Sequence, residues 1–322
     1  MIPQFAPSFD DADSKAVAKV IESGWISEGK LTKEFERRVA SVMGYKYGVA
    51  TVNGTVAISL ALMAAGIGPN DSILIPDLTF IATANAVKAV GARPNFKDVD
   101  EDDFCASWVN IPVALNGRSV NGGIVIDAAQ ALGSKISKSK IATLSFAPTK
   151  IITTGQGGMV FTDSGVIMEK VRRLKDHGRL DKADYHPSIG FDFKFTDIQA
   201  ALGLSQLDKL PTRVEQKRKI CTQYQEELRG LSSLKVCGVQ NGELLLNQDI
   251  LVENRDRLAI KLLEKGIQTR PFYAPLHTQS AYRSDGRFPV AEKISAMGLW
   301  LPSGPSLTSD EVSYVCESIR EA

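Results

Sequence analysis

The chain has 322 residues, 43% of them hydrophobic and 23% charged, with a formal net charge of +1. That balance is the one of an ordinary globular chain, long enough for one large α/β domain and a smaller second one. A net charge so near zero supplies no overall field for nucleic acid or an anionic membrane, so an anionic ligand needs local cations.

The opening MIPQFAPSFDDADSK lacks a basic-then-apolar pattern and predicts no export signal. KYGVATV (46–52) reads as a strand and TVAISLALMAAGI (55–67) as a helix. DSILIPD (71–77) predicts a strand, followed by a helix over 81–91. Further strands are expected at 122–129, 140–146 and 157–163, each bounded by Gly or charged residues. Residues 164–178 and 196–231 predict helices. Residues 242–252 predict strands, 255–266 a helix and 309–322 a closing helix. Apolar strands joined through helices imply a mostly parallel sheet with helices on both faces. The expected division is a large α/β domain over 1–208, with an N-terminal arm, and a small α+β domain over 209–322.

Cys105, Cys221, Cys237 and Cys316 are scattered, without CxxC pairs or clustered histidines, so no metal site is expected. So few cysteines point to a reducing cytoplasm. No window approaches 18 uninterrupted apolar residues, so no membrane span is expected.

In an open α/β sheet, ligands bind at the carboxyl ends of the strands, and four features fall there. Asn53, Gly54 and Thr55 lie between a strand and a helix. They can cradle a phosphate on helix amides and a hydroxyl, or simply cap the helix. Asp127 ends an apolar strand, GIVIDAAQA. It needs a partner there, such as a protonated heterocycle nitrogen, or caps a helix. Lys150 follows a strand ending at Ser145, in SFAPTKIITTGQGG. In the open it is a solvated lysine; in an enclosed cleft its pKa falls and the amine becomes nucleophilic towards carbonyls. Phe80, in PDLTFIATANAV, can stack on a flat ring or join the core. Together these supply what pyridoxal 5'-phosphate requires.

The chain resembles the DegT-type nucleotide-sugar aminotransferases, a branch of PLP fold type I. The likeness runs through GWISEGKLTKEFE (24–36), VNGTVAISLAL (52–62), PDLTFIATANAV (76–87), DAAQALG (127–133), SFAPTKIITTGQGG (145–158), GFDFKFTDIQAALGLSQL (190–207) and RPFYAPLHTQSAY (270–282). It implies that Lys150 carries the cofactor and moves the proton between substrate and cofactor carbons, with Asp127 on the pyridine nitrogen. It places Gln130 by the ring hydroxyl, Phe80 on the ring face, and Ser145, Gly54 and Thr55, with Asn53 beside them, at the phosphate. It implies a homodimer with shared active sites, in which Asp192 and Lys194 of the GFDFKF loop reach the partner's phosphate. It also implies L-glutamate as donor, 2-oxoglutarate as by-product, and pyridoxamine 5'-phosphate as the form carrying the amine between half reactions.

Two departures stand out. The family's loop usually has Asn where this chain has Asp192. The stretch between NFKDVDEDDF (95–104) and GGIVIDAAQ is shorter than usual, and IPVALNG (111–117) resembles a remnant of the family's PVHLYG strand. Within the family, the 190–201 and 270–282 segments most resemble perosamine synthases, which act on GDP-4-keto-6-deoxy-D-mannose. Trp25, Ser27, Lys194, Arg270, Tyr273 and His277 are then candidates for contacting the nucleotide-sugar. His277 is equally open to a structural role. A UDP- or dTDP-linked keto-sugar is the nearest alternative. A PLP-dependent sugar dehydratase would carry His in place of Lys150, and a non-catalytic regulator a lost Lys or Asp; the chain keeps both.

Overall fold

The computed structural model describes residues 1–179, 184–238 and 242–322. In chain order the first elements are α1 (Asp11–Glu22), α2 (Lys30–Val42), β1 (Tyr47–Thr51), α3 (Gly54–Ala64), β2 (Ser72–Pro76), α4 (Ala82–Ala89) and β3 (Arg93–Lys97). After an irregular connection come β4 (Ile126–Asp127), β5 (Ala142–Ser145), β6 (Gly158–Thr162), α5 (Gly165–Lys175), α6 (Asp197–Asp208) and α7 (Leu210–Glu227). The last are β7 (Leu234–Val236), β8 (Gln248–Val252), α8 (Arg255–Glu264), β9 (Arg270–Pro271), α9 (Pro289–Met297), β10 (Gly298–Leu301) and α10 (Ser309–Arg320).

The main sheet has the order β1-β6-β5-β4. Strand β5 is parallel to β4, while β6 runs antiparallel to both β1 and β5. Beyond β4, Val113 forms a parallel bridge to Asp127. Asn110 then exchanges bonds of 2.8 Å and 2.7 Å with the Leu74 backbone, reaching the parallel β2–β3 pair. Helix α3 is apolar on nearly every side and packs against β5, β6, α4 and α5, as such a helix must in water. A second sheet, β7-β8-β10-β9, is wholly antiparallel and forms its own core with α7, α8 and α10. The N-terminal arm lies along this second unit, with Ile2 bridging Ile267. The chain is thus α/β, with helices packed on a mixed sheet.

Three expected elements come out differently. The strand expected at 122–129 shrinks to β4, because Gly122 and Gly123 take φ of +74° and +76°, outside strand geometry. The helix expected over 196–231 is two helices meeting at Lys209. Pro211, which has no N–H to give an uninterrupted helix, sits in the first turn of α7 instead. In 242–252 only β8 is strand; Leu244 and Leu246 pair by backbone with Ser134 and Asn116. The first 45 residues, for which no helix was expected, hold α1 and α2; α1 begins with a capping box between Asp10 and Asp13.

Candidate active site

A cavity of about 540 Å³ opens at the carboxyl ends of β1, β4 and β5. Its floor is set by glycines. A Cβ on Gly54 would meet Ser145 Cβ at 2.8 Å, and one on Gly158 would lie 2.3 Å from Asn53 O. Only side chains this small let the start of α3 close onto the ends of β5 and β6. Asn53 caps α3, its Oδ1 accepting from Val56 N at 2.9 Å. Thus Asn53 is the helix cap that the sequence also allowed, and it lines the cavity too. The amides of Gly54 and Thr55 are among those a helix leaves unpaired at its N-terminus. With Thr55 and Ser145 hydroxyls beside them, they form a cradle fit for a phosphate.

Asp127 is 5% exposed. Thr83 Oγ1 donates to its Oδ2 at 2.7 Å, and Ala129 N to its Oδ1 at 3.1 Å. Both donors are neutral. Burial pushes the Asp127 carboxyl up, while Thr83, the Ala129 amide and the nearby Lys150 charge pull it down. A buried carboxylate facing a cavity, with no cation bonded to it among the described residues, is what a protonated ring nitrogen would complete. Lys150 lines the same cavity. Burial lowers its amine to about 8; Asp127 opposes the shift and Arg270 adds to it. The amine is therefore still mostly protonated at pH 7, but its uncharged form, which addition to an aldehyde requires, is far more populated than in an ordinary lysine.

The opposite wall is aromatic. Phe80 is 49% exposed, not core, and its ring lies 5.4 Å from that of Tyr273. Gln130 Nε2 donates to Tyr273 Oη at 2.9 Å. The Arg270 guanidinium lies 5.5 Å from the Tyr273 ring and 5.4 Å from the Trp300 ring, an arrangement worth about 1 kcal/mol or less where exposed. The cavity therefore gathers Asn53, Gly54, Thr55, Phe80, Asp127, Gln130, Ser145, Lys150, Arg270 and Tyr273. Carboxylate, cradle and amine are together those that pyridoxal phosphate needs, so the residues present fit that group.

Five candidates lie elsewhere in this single chain. Trp25 lines a separate, larger groove of about 960 Å³ beside α1 and α6, and the Ser27 carbonyl accepts from Asp197 N at 3.2 Å. Lys194 Nζ is 3.2 Å from Asp176 and 4.0 Å from Asp192. His277 is buried; its Nδ1 lies 2.6 Å from Asp77 Oδ2, its backbone N donates to Asp77 Oδ1 at 2.8 Å, and Nε2 lies 3.3 Å from Glu292. It locks the turn after Pro275 onto the end of β2, which is the structural role left open for it. Three cavity-shaping residues escaped the sequence reading. Thr83 carried a signal, as a hydroxyl in the first turn of the helix after Phe80. Gln156, in the glycine-rich run, carried a weaker one. Asn116 carried none, because its neighbours come from β8.

The model of the DegT/DnrJ/EryC1/StrS aminotransferase family matches residues 7–126 and 121–320. The GDP-perosamine synthase of Escherichia coli O157:H7 is 33% identical over 357 residues, covering 99% of this chain and 98% of its own. That span exceeds the 322 residues present, so the relative carries positions this chain lacks. The dTDP-4-dehydro-2,3,6-trideoxy-D-glucose 4-aminotransferase of Saccharopolyspora spinosa is 29% identical, covering 100% and 97%. Among solved structures, a DegT DnrJ EryC1 StrS aminotransferase from Brucella abortus superposes with a TM-score of 0.90 at 29% identity, covering 97% and 95%. No helix among the described residues is long and apolar enough to cross a membrane.

Proposed function

The chain belongs to the DegT/DnrJ/EryC1/StrS aminotransferase family, whose cofactor is pyridoxal phosphate, and from that premise we propose that it aminates GDP-4-keto-6-deoxy-D-mannose with L-glutamate to give GDP-perosamine. The observation that carries the reaction class is one cavity holding a buried Asp127 with no cationic bond partner among the described residues, the lowered amine of Lys150 and the glycine-floored cradle at α3. The GDP-linked sugar is favoured by the likeness to GDP-perosamine synthases over nearly the full length of both chains.

The cofactor supplies an electron sink and a carrier for the amino group. The protein does the rest. The α3 amides with Thr55 and Ser145 would hold the cofactor's phosphate, and Phe80 would cover one face of its ring. Asp127 would keep the proton on the ring nitrogen, without which the ring accepts electrons poorly. Lys150, whose amine burial lowers to about 8, would carry the proton between the donor's α-carbon and the cofactor carbon on the other side of the amino nitrogen, general acid–base work suited to a group with a pKa near the working pH. Arg270 and Tyr273 line the side open to substrates. In this reading the protein acts as a cytoplasmic homodimer, each cavity completed by Asp192 and Lys194 from the partner copy, and the chain divides at 208/209.

A second reading is amination of a dTDP-linked 4-keto sugar, favoured by the Saccharopolyspora relative of that specificity. Incubating the holoenzyme with glutamate and a panel of GDP-, UDP- and dTDP-4-keto-6-deoxy sugars separates the two by mass of the amino-sugar product. The expected result is the highest kcat/KM with the GDP-mannose derivative. Turnover of dTDP sugars alone would replace the first reading by the second.

A further inference from the structure

The irregular connection after β3 contains Asn116, one of the most tightly held residues in the structure. It is 1% exposed and sits in the left-handed region, with φ 55° and ψ 25°, which Asn tolerates better than other side-chain-bearing residues. Its side chain is fully committed to the N-terminal end of β8. Nδ2 donates to Asn247 O at 2.9 Å and Asp249 Oδ1 at 2.6 Å, and Oδ1 accepts from Asn247 N at 2.7 Å. Its backbone N–H points the other way, donating to Gln130 Oε1 at 2.6 Å. In the family's PVHLYG pattern, an aromatic residue stands where this chain has Asn116 in PVALNG. The family match also breaks into its two segments at 121–126, just after this connection.

An amide side chain can be turned either way around, but a backbone N–H can only donate. Its partner on Gln130 must therefore be the oxygen, which leaves Nε2 facing Tyr273 Oη at 2.9 Å. Tyr273 Oη must accept that bond, so its own proton is free for something else. One N–H of Gln130 is likewise left over. Both residues line the cavity. We infer that Asn116 is a positioning residue: through its backbone N–H it sets Gln130 and Tyr273 to present hydrogen-bond donors, and so the wall they form takes an acceptor oxygen, such as the phenolic oxygen of the cofactor or a carbonyl of the substrate. The inference rests on the cofactor assignment and not on the identity of the sugar. Reversal of the Gln130 amide would instead present an acceptor, which repels such an oxygen.

The test uses full-length protein, with pyridoxamine 5'-phosphate binding to the apo-form followed by protein fluorescence. The absorption maximum of the holoenzyme, recorded against pH, is the second readout. Asn116→Gly keeps the left-handed backbone but releases every side-chain bond. It should weaken pyridoxamine phosphate binding about tenfold, the scale of one lost hydrogen bond in a dry site, and displace the pH midpoint of the spectrum. Arg118→Lys loosens the same connection through its buried pair with Asp249, at 2.6 Å, without touching Gln130. It should lower the melting temperature and leave both readouts near wild type. Gln130→Glu, made without the Asn116 substitution, is a second variant. It keeps an oxygen for the Asn116 amide but has no N–H for the cavity, so it should weaken binding at least as much. The idea is overturned if Asn116→Gly leaves both readouts unchanged, if Arg118→Lys moves them as far, or if Gln130→Glu binds as wild type does. Wild-type apo-protein that fails to bind pyridoxamine phosphate at all would count against the cofactor assignment itself, a separate failure.

Discussion

Thr83 and Asp127 are 44 residues apart in sequence and joined by a 2.7 Å hydrogen bond in the cavity. The donor is neutral, so it steadies the carboxylate without cancelling its charge. Losing it raises the Asp127 carboxyl further, because burial already does so. Thr83→Val should lower the rate of the glutamate half reaction about tenfold, since one such bond is worth about 1 kcal/mol or slightly more. Thr83→Ser should restore it. Single-turnover absorbance measurements on the three proteins decide the point, and Thr83→Val at the wild-type rate would remove Thr83 from the site.

Lys150 in the apo-protein is lowered to about 8 by burial. Capture of an aldehyde by the free amine should therefore accelerate as pH rises through about 8 and level off above it. Borohydride reduction followed by peptide mapping should find the label on Lys150, and label on another lysine would refute the assignment. Stability carries the same signature with a defined sign. Between about 8 and the ordinary value of 10.5, the unfolded chain binds the proton and the native one does not, so stability rises with pH across that window. Below it, the native protein carries a penalty on the order of 3 kcal/mol, from one pKa unit being about 1.4 kcal/mol. Lys150→Met should thus raise the apo-protein's melting temperature at pH 7 and have little effect near pH 11.

Much of this site is local in sequence. Asn53 to Thr55, Phe80, Asp127 and Ser145 to Lys150 each sit where a strand runs out, and strands and their ends leave apolar runs and glycines that can be read directly. Asn116 is different: its partners are Gln130, Asn247 and Asp249, far along the chain, and its left-handed backbone follows from those contacts, not from its neighbours. His277 was ambiguous for a similar reason. Its fixing partner, Asp77, is 200 residues away. The break between α6 and α7 was legible in principle, since Pro211 is in the sequence, but the unbroken polar–apolar pattern around it reads as one helix.

Asp249 is fully buried and holds both the Arg118 guanidinium, at 2.6 Å, and the Asn116 amide. Removing one partner of a buried ion pair leaves the other charge stranded, at a cost of about 3–5 kcal/mol. Asp249→Ala should lose that much in urea unfolding. Adding Arg118→Met should recover a large part, because the stranded cation goes with it. Equal stability of the single and double variants would mean that Asp249 matters through Asn116 alone.

Asp192 stands where its family's loop usually carries Asn, and its side chain is 60% exposed. The charges near it are loosely placed: His177 Nε2 at 3.7 Å and Lys194 Nζ at 4.0 Å, the latter closer to Asp176 at 3.2 Å. Exposed pairs at such distances contribute about 1 kcal/mol at most. Asp192 is therefore not what holds Lys194 in place; Asp176 does more. A bare carboxylate facing a phosphate would cost about 4 kcal/mol at 4 Å and an effective dielectric of 20, so a carboxylate in the loop is tolerable only because solvent and cations screen it. Asp192→Asn should then keep full activity and bind pyridoxal phosphate equally or more tightly in a titration of the apo-protein. Asp176→Asn, which releases Lys194 from its nearer partner, should alter the affinity more than Asp192→Asn does. A markedly weaker Asp192→Asn variant would show that the carboxylate contributes directly, either by organising the loop through His177 or by meeting the sugar.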